Sequence, residues 1–253
     1  MAHIFADRYG LDYANQLADT ILSAYPGFNR EGFVTTMRSC LGAEAMLRRQ
    51  DLYVDALEKY LSSDYEENLD LFTKIWGEEL KQETGMFSEG WWLWPFGRYV
   101  ERHGLKNPEA SYRFIHGFTK RQTGEFMIRP LLNKNTRRTM VVLREFSLDE
   151  SVHVRRLASE GMRISLPWAK KTTAALTEPA FYQDILTRLK EDPSRFVMKS
   201  VGNNLNDLYK FDGALAESLV KKWEKEGLSD TAKWVVRHGQ RSERKKTNPA
   251  KRP

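Results

Sequence analysis

The sequence predicts an all-α fold built from stacked helix pairs. Three observations carry this reading. Apolar residues recur at helical spacing along most of the chain, strand-like alternation is scarce, and one helix-start segment returns about 43 residues later.

In the front portion the helical spacing shows in Leu17, Ile21 and Leu22, in Leu57, Tyr60 and Leu61, and in Leu69, Leu71 and Phe72. Breaks are expected at Tyr25-Pro26-Gly27, near Gly90 and at Asn107-Pro108. Residues 1–104 show no clear repeat and read as irregular helices that cap an array. The run Trp91-Trp92-Leu93-Trp94-Pro95-Phe96 is either a stacking surface or a packed helix start, and the packed start is favoured. Behind it, further breaks are expected at Arg129-Pro130, Glu178-Pro179 and Asp192-Pro193, with Leu186, Leu189 and Leu205 on helical faces.

The back half, 105–238, repeats itself. Leu148 to Ala158 matches Glu191 to Val201, with Asp149-Glu150-Ser151 against Asp192-Pro193-Ser194. In each copy Asp with Ser or Pro caps a second helix, a Val turns inward and basic residues follow. Trp234 to His238 reads as a degenerate third copy, and Asn107 to Phe118 as an earlier one. The period is that of HEAT-like helix pairs, which stack into a solenoid because one pair cannot bury its own apolar face. Residues 1–238 are thus read as a single domain, followed by a disordered basic tail, 239–253. That tail carries a net charge of about +5 of the +6 of the whole chain, so the folded part is nearly neutral. The tail can add non-specific phosphate affinity.

Several chemistries are poorly supported. Cys40 is the one cysteine, which leaves no partner for a disulfide or a Cys-based zinc site; it reads as buried packing in a reducing, cytoplasmic setting. His103, His116, His153 and His238 lack metal-ligand spacing, and no glycine-rich phosphate loop or nucleophile elbow occurs. Neither a metal nor a cofactor is expected. No run of about 18 apolar residues or signal peptide is seen.

Three acids stand out in apolar or basic surroundings: Glu125, Glu160 and Asp207. On the repeat register Glu160 matches Asn203, and Asp207 lies one turn further. Glu125 falls about two turns beyond its equivalent in the earlier copy. Steps of four and seven or eight residues keep one helix face, so the three are expected on one stripe of successive helices. Each also has a plain reading: Glu125 paired with Arg129, Glu160 with Arg156 or Arg163, and Asp207 capping or paired with Lys210. Trp168, after Leu166-Pro167, is either core or a face offered to a sugar or cation. Arg155, Arg156, Arg163, Lys120, Arg121 and Lys199 are candidate phosphate contacts or salt-bridged surface residues.

The blocks Phe118 to Arg121, Glu125 to Pro130, His153 to Gly161, Leu166 to Ala169 and Asn203 to Asp207 resemble the AlkC DNA alkylation-repair glycosylases, relatives of the AlkD branch. The resemblance spans roughly Trp94 to Arg237. It departs from the family's pattern at Ile164-Ser165, where Pro-Arg is usual, at Met198, often Arg, and at Phe146, commonly Trp. It implies a HEAT-like solenoid whose concave face holds double-stranded DNA. The implied activity is excision of cationic N3-alkylated bases such as 3-methyladenine and 3-methylcytosine, without base extrusion. It further implies that Glu125, Glu160 and Asp207 are the functional acids and Trp168 the sugar-facing aromatic. Such carboxylates would stabilise the cationic sugar and activate water, with Asp207 or Glu160 favoured for the water and Glu125 for electrostatic support. No lysine nucleophile is needed, so a monofunctional enzyme, acting as a monomer, is expected. The alternatives are an inactive HEAT-like DNA-binding module and a protein-interaction scaffold.

Overall fold

The computed structural model describes residues 2–83 and 89–247. Its contacts divide the chain into two compact units, 1–127 and 128–253, rather than the single array read from sequence. Among the described residues there is no strand, and no helix is long and apolar enough to cross a membrane.

The first unit comprises α1 (Ala2–Asp7), α2 (Leu11–Ala24), α3 (Arg30–Cys40), α4 (Met46–Tyr60), α5 (Tyr65–Ile75), α6 (Trp94–His103) and α7 (Pro108–Thr119). Polar caps start several of these helices. Asn29, Asp64 and Asn107 each accept a hydrogen bond from a backbone N–H three residues on, satisfying a donor the helix leaves free. The Trp-rich run proves to be a packed helix start. Trp94 and Phe96 are buried, and the Tyr9 and Tyr13 hydroxyls donate to the Trp91 and Trp92 carbonyls at 2.6 and 2.5 Å. Cys40 ends α3 and is half-buried rather than buried; desolvation raises its thiol pKa.

The second unit holds α8 (Ile128–Lys134), α9 (Thr136–Phe146), α10 (Val152–Glu160), α11 (Ala174–Thr177), α12 (Pro179–Leu189), α13 (Arg195–Phe211), α14 (Gly213–Glu226), α15 (Asp230–Gly239) and α16 (Arg241–Thr247). The pairs α9/α10, α12/α13 and α14/α15 are the repeats. Their second helices pack in sequence, α10 on α13 and α13 on α15. The 43-residue echo is visible atom by atom. Asp149 Oδ1 accepts from the Ser151 N–H at 2.8 Å, Asp192 Oδ1 accepts from the Ser194 N–H at 2.9 Å, and Val154 and Val197 are both fully buried. The degenerate third copy keeps the Ser cap, through Ser229 on the Ala232 N–H.

Two expectations are corrected. Pro130 does not end a helix: it lies in the first turn of α8, where a missing N–H costs nothing. Nor is 239–253 a free tail from its start. Gly239 completes α15, and α16 packs on α13 and α15 because Arg241 donates to the His238 carbonyl at 2.7 Å and to Asn203 Oδ1 at 3.0 Å. Ser242 adds a bond to Asn206 Oδ1 at 3.2 Å. Residues 248–253 lie outside the described residues.

The approach of α13 to α15 depends on glycine. A Cβ on Gly239 would stand 2.5 Å from Leu205 Cδ2 and 2.8 Å from its Cβ. Gly239→Ala is therefore expected to destabilise the second unit by about 1–3 kcal/mol, the usual cost of overpacking. Thermal melting checks this, and an unchanged midpoint would show that the helices part freely.

Candidate active site

The site in the second unit is built from α10, α13 and the loop 161–173 between α10 and α11. Glu160 is the last residue of α10, where the helix dipole disfavours a carboxylate. It stays there because partners surround it. Arg163 Nη1 donates to its Oε1 at 2.8 Å, the Ser200 hydroxyl donates to its Oε2 at 2.6 Å, and Arg156 stands 3.6 Å away. Asp207 comes from the middle of α13. Arg163 spans the gap, with Nε 3.0 Å from Asp207 Oδ2 and Nη2 3.4 Å from Oδ1. One guanidinium thus holds two acids that are only 5% and 7% exposed. Burial works to raise the Glu160 pKa, but the charges of Arg156 and Arg163 and the hydrogen bonds from Ser200 and Arg163 outweigh it. Its carboxyl sits below the usual carboxylate range.

Behind Glu160 lies a buried polar layer that the sequence did not announce. Ser200 accepts from the Ser159 hydroxyl at 2.7 Å. Asn204 Nδ2 donates to the Ser159 and Ser200 carbonyls at 2.9 and 3.1 Å, and Tyr182 donates to Asn204 Oδ1 at 3.1 Å. Every member has a partner, which is what lets a polar group remain in a core.

Trp168 is presented by the loop. Leu166 and Ile164 are buried anchors, while Trp168 is 49% exposed. The Ala169 N–H donates to the Leu166 carbonyl at 3.3 Å, closing a turn with Pro167 at its second position and Trp168 at its third. There Trp168 has φ of 63°, the conformation a type II turn normally reserves for Gly or Asn. Among the described residues no other non-glycine adopts positive φ. Such backbone costs on the order of 1–3 kcal/mol and tends to persist at functional positions. The core reading of Trp168 therefore fails.

The other predicted residues fall in several places. Glu125 is buried in the first unit, in the turn before α8 rather than on a helix, so the expected three-acid helical stripe does not form. The repeat register failed because the chain between α7 and α8 is irregular. Asp207 pairs with Arg163, not with Lys210. Arg155 joins consecutive repeats, donating to Asp192 Oδ2 at 2.6 Å and to the Asp149 and Glu150 carbonyls. Arg156 lies over the Phe196 ring at 4.6 Å. In the first unit, Arg121 donates to the Gly77 and Gly117 carbonyls and covers Trp76, while Lys120 is 3.9 Å from Glu79. Lys199 is exposed on α13. Sequence reasoning missed two cations beside it. Arg195 stacks 3.8 Å from the Trp234 ring, and Arg241 reaches Asn203. Burial and the charges of Arg241, Lys199 and Arg195 push the His238 pKa down to about 4, so His238 is neutral at pH 7. The spacing could have shown part of this: Arg195, Lys199, Asn203 and Asp207 are one four-residue stripe of α13.

The stacked helix pairs form a HEAT-like repeat, and their fold is that of AlkC. The chain superposes on Pseudomonas fluorescens alkylpurine DNA glycosylase AlkC, solved bound to DNA containing an abasic site analog, with a TM-score of 0.84 and 29% identity. The match covers 96% of this chain and 65% of that one. The uncharacterized protein YhaZ of Bacillus subtilis is 33% identical over 239 residues, which are 94% of this chain and 64% of YhaZ. The chain thus spans just under two thirds of the length of either relative. No protein-family model matches it.

Proposed function

We propose that this protein is a monofunctional DNA glycosylase that excises cationic N3-alkylated bases, 3-methyladenine and 3-methylcytosine, from double-stranded DNA in base excision repair. One observation carries the reading: two buried carboxylates on neighbouring repeats share one guanidinium, and the loop supplying that guanidinium also presents a strained, exposed tryptophan. The likeness to AlkC supports it.

An N3-alkylated base carries positive charge and leaves as a neutral molecule when its bond to the sugar breaks. The positive charge then develops on the sugar. Carboxylates fixed beside that sugar stabilise it, and an aromatic face adds cation–π attraction. Water adds at the sugar carbon and gives up a proton, for which Asp207 or Glu160 is the acceptor. Arg195, Lys199 and Arg241 supply positive charge for the phosphates along the α13 stripe that ends at Asp207. We place the protein in the cytoplasm, acting as a monomer without metal or cofactor.

The purified protein, given methylated duplex DNA, is expected to release 3-methyladenine or 3-methylcytosine and leave abasic sites without nicks. Salt-dependent binding with no release of either base above an enzyme-free control would make it a DNA-binding module. Absence of both binding and release would leave a protein-interaction scaffold.

A further inference from the structure

Arg129, in the first turn of α8, is only 2% exposed, yet among the described residues no carboxylate bonds to it. Its guanidinium is spent entirely on main-chain oxygens. Nη1 donates to the Gly161 carbonyl at 3.1 Å and the Arg163 carbonyl at 2.6 Å; Nε donates to the Lys170 carbonyl at 3.1 Å, and Nη2 donates to the same oxygen. One turn along α8, Asn133 Nδ2 donates to the next carbonyl, Lys171, at 3.3 Å. Both feet of the segment 161–171 are therefore fixed to one short helix.

The start of the segment continues from α10, with the Gly161, Met162 and Arg163 N–H groups donating to the Leu157, Ser159 and Glu160 carbonyls at 2.8, 3.3 and 3.3 Å. Beyond Arg163 the backbone has two bonds around the turn, Ala169 N–H to the Leu166 carbonyl at 3.3 Å and Thr172 N–H to the Ile164 carbonyl at 3.4 Å, and both are long. Yet the segment carries Trp168 in a left-handed conformation that a free chain would leave. Something must over-determine the turn. Arg is the one side chain with five donors in a fixed fork, so it can tie three carbonyls at two separate points where Lys or Gln cannot. Burying an unpaired cation is costly. Desolvation and the nearby Arg163 charge push the Arg129 pKa down to about 10, with Asp207 opposing, so it remains charged at neutral pH.

We propose that Arg129 is a positioning residue: it braces both ends of the 161–171 loop, setting Trp168 against the sugar and the Arg163 backbone beside the acid pair. The catalytic part of this statement rests on the proposed glycosylase reading; the bracing does not.

The experiment uses the full chain labelled with 5-fluorotryptophan, in which the Trp168 resonance among the seven is assigned by its loss in Trp168→Phe. In Arg129→Gln the Trp168 resonance is expected to shift or broaden while the others stay in place. Single-turnover excision should fall by about 10- to 100-fold, the scale of a misplacement near an ångström, with affinity for undamaged duplex within about threefold of the parent. Combined with Trp168→Phe, it should add less than about threefold to the Trp168→Phe loss, because both changes act through one contact. If Arg129→Gln does not fold, Arg129→Lys, which retains the charge but not the fork, is read the same way. An unmoved Trp168 resonance, or losses that multiply in the double variant, overturns the proposal. Normal excision by Trp168→Phe would instead remove Trp168 from the mechanism, and the resonance would still decide whether Arg129 braces the loop.

Discussion

Asp207→Asn and Glu160→Gln are each expected to slow single-turnover excision of an alkylated base by about 10²–10³-fold, the usual cost of removing one preorganised electrostatic contact from a transition state. Both substitutions keep shape and remove one negative charge. Binding to undamaged duplex should hold steady or tighten, because a charge that repels phosphate has gone. The two changes together should cost less than the product of the single losses if both carboxylates act on one centre. Glu125→Gln, measured beside them, asks whether the acid of the first unit takes part. A structural role gives another pattern: lower melting temperature, with activity falling only in proportion to folded protein. Single-turnover rate, duplex affinity and thermal stability on the same variants separate the two, and near-normal excision in all three would dismiss the site.

That Glu160 and Asp207 come together on neighbouring helices was legible in the sequence because both sit on regular helices, where a repeat register carries over from one copy to the next. The register also placed the Asp-x-Ser starts of α10 and α13, and it put a degenerate third copy at Trp234 to His238, inside α15, without its Ser229 cap. Glu125 shows where that logic stops. It lies in an irregular turn, and face arithmetic has no meaning off a helix. Tertiary partners were out of reach for a different reason. That Arg163 pairs with Glu160 follows from a spacing of three, but its reach to Asp207 requires α10 to pack on α13. The same packing, with α12 against α13, creates the Ser159, Ser200, Asn204 and Tyr182 layer from residues unremarkable in sequence. The order of α16 was hidden by its composition: a basic segment reads as solvated until Asn203, Asn206 and the His238 carbonyl offer it acceptors.

Arg163→Gln is expected to destabilise the second unit by about 3–5 kcal/mol at neutral pH, the range for breaking a buried ion pair and leaving its partners uncompensated. Here two partners are left, and they then repel each other. The loss should depend on pH, with a sign fixed by the acids. Glu160 has a folded pKa below its ordinary value, so it contributes stability that is present above that value and lost as pH falls through the folded one. Removing Arg163 takes away an attraction that exists only while the carboxylates are ionised. The gap in melting temperature between parent and variant should therefore be widest near neutrality and narrow in acid, as Glu160 takes up its proton. For excision the same change removes two of the interactions that hold the Glu160 pKa down, so the acid limb of the rate–pH profile should move to higher pH. A gap in stability that is equal at neutral and acidic pH would mean that Arg163 acts through packing or through its loop, not as the shared counter-ion of Glu160 and Asp207. If the stability gap narrows in acid but the rate profile stays fixed, the ion bridge is real and the two acids do not set the reaction's protonation state. Chemistry then has to be sought elsewhere on the stripe that runs from Arg195 to Asp207.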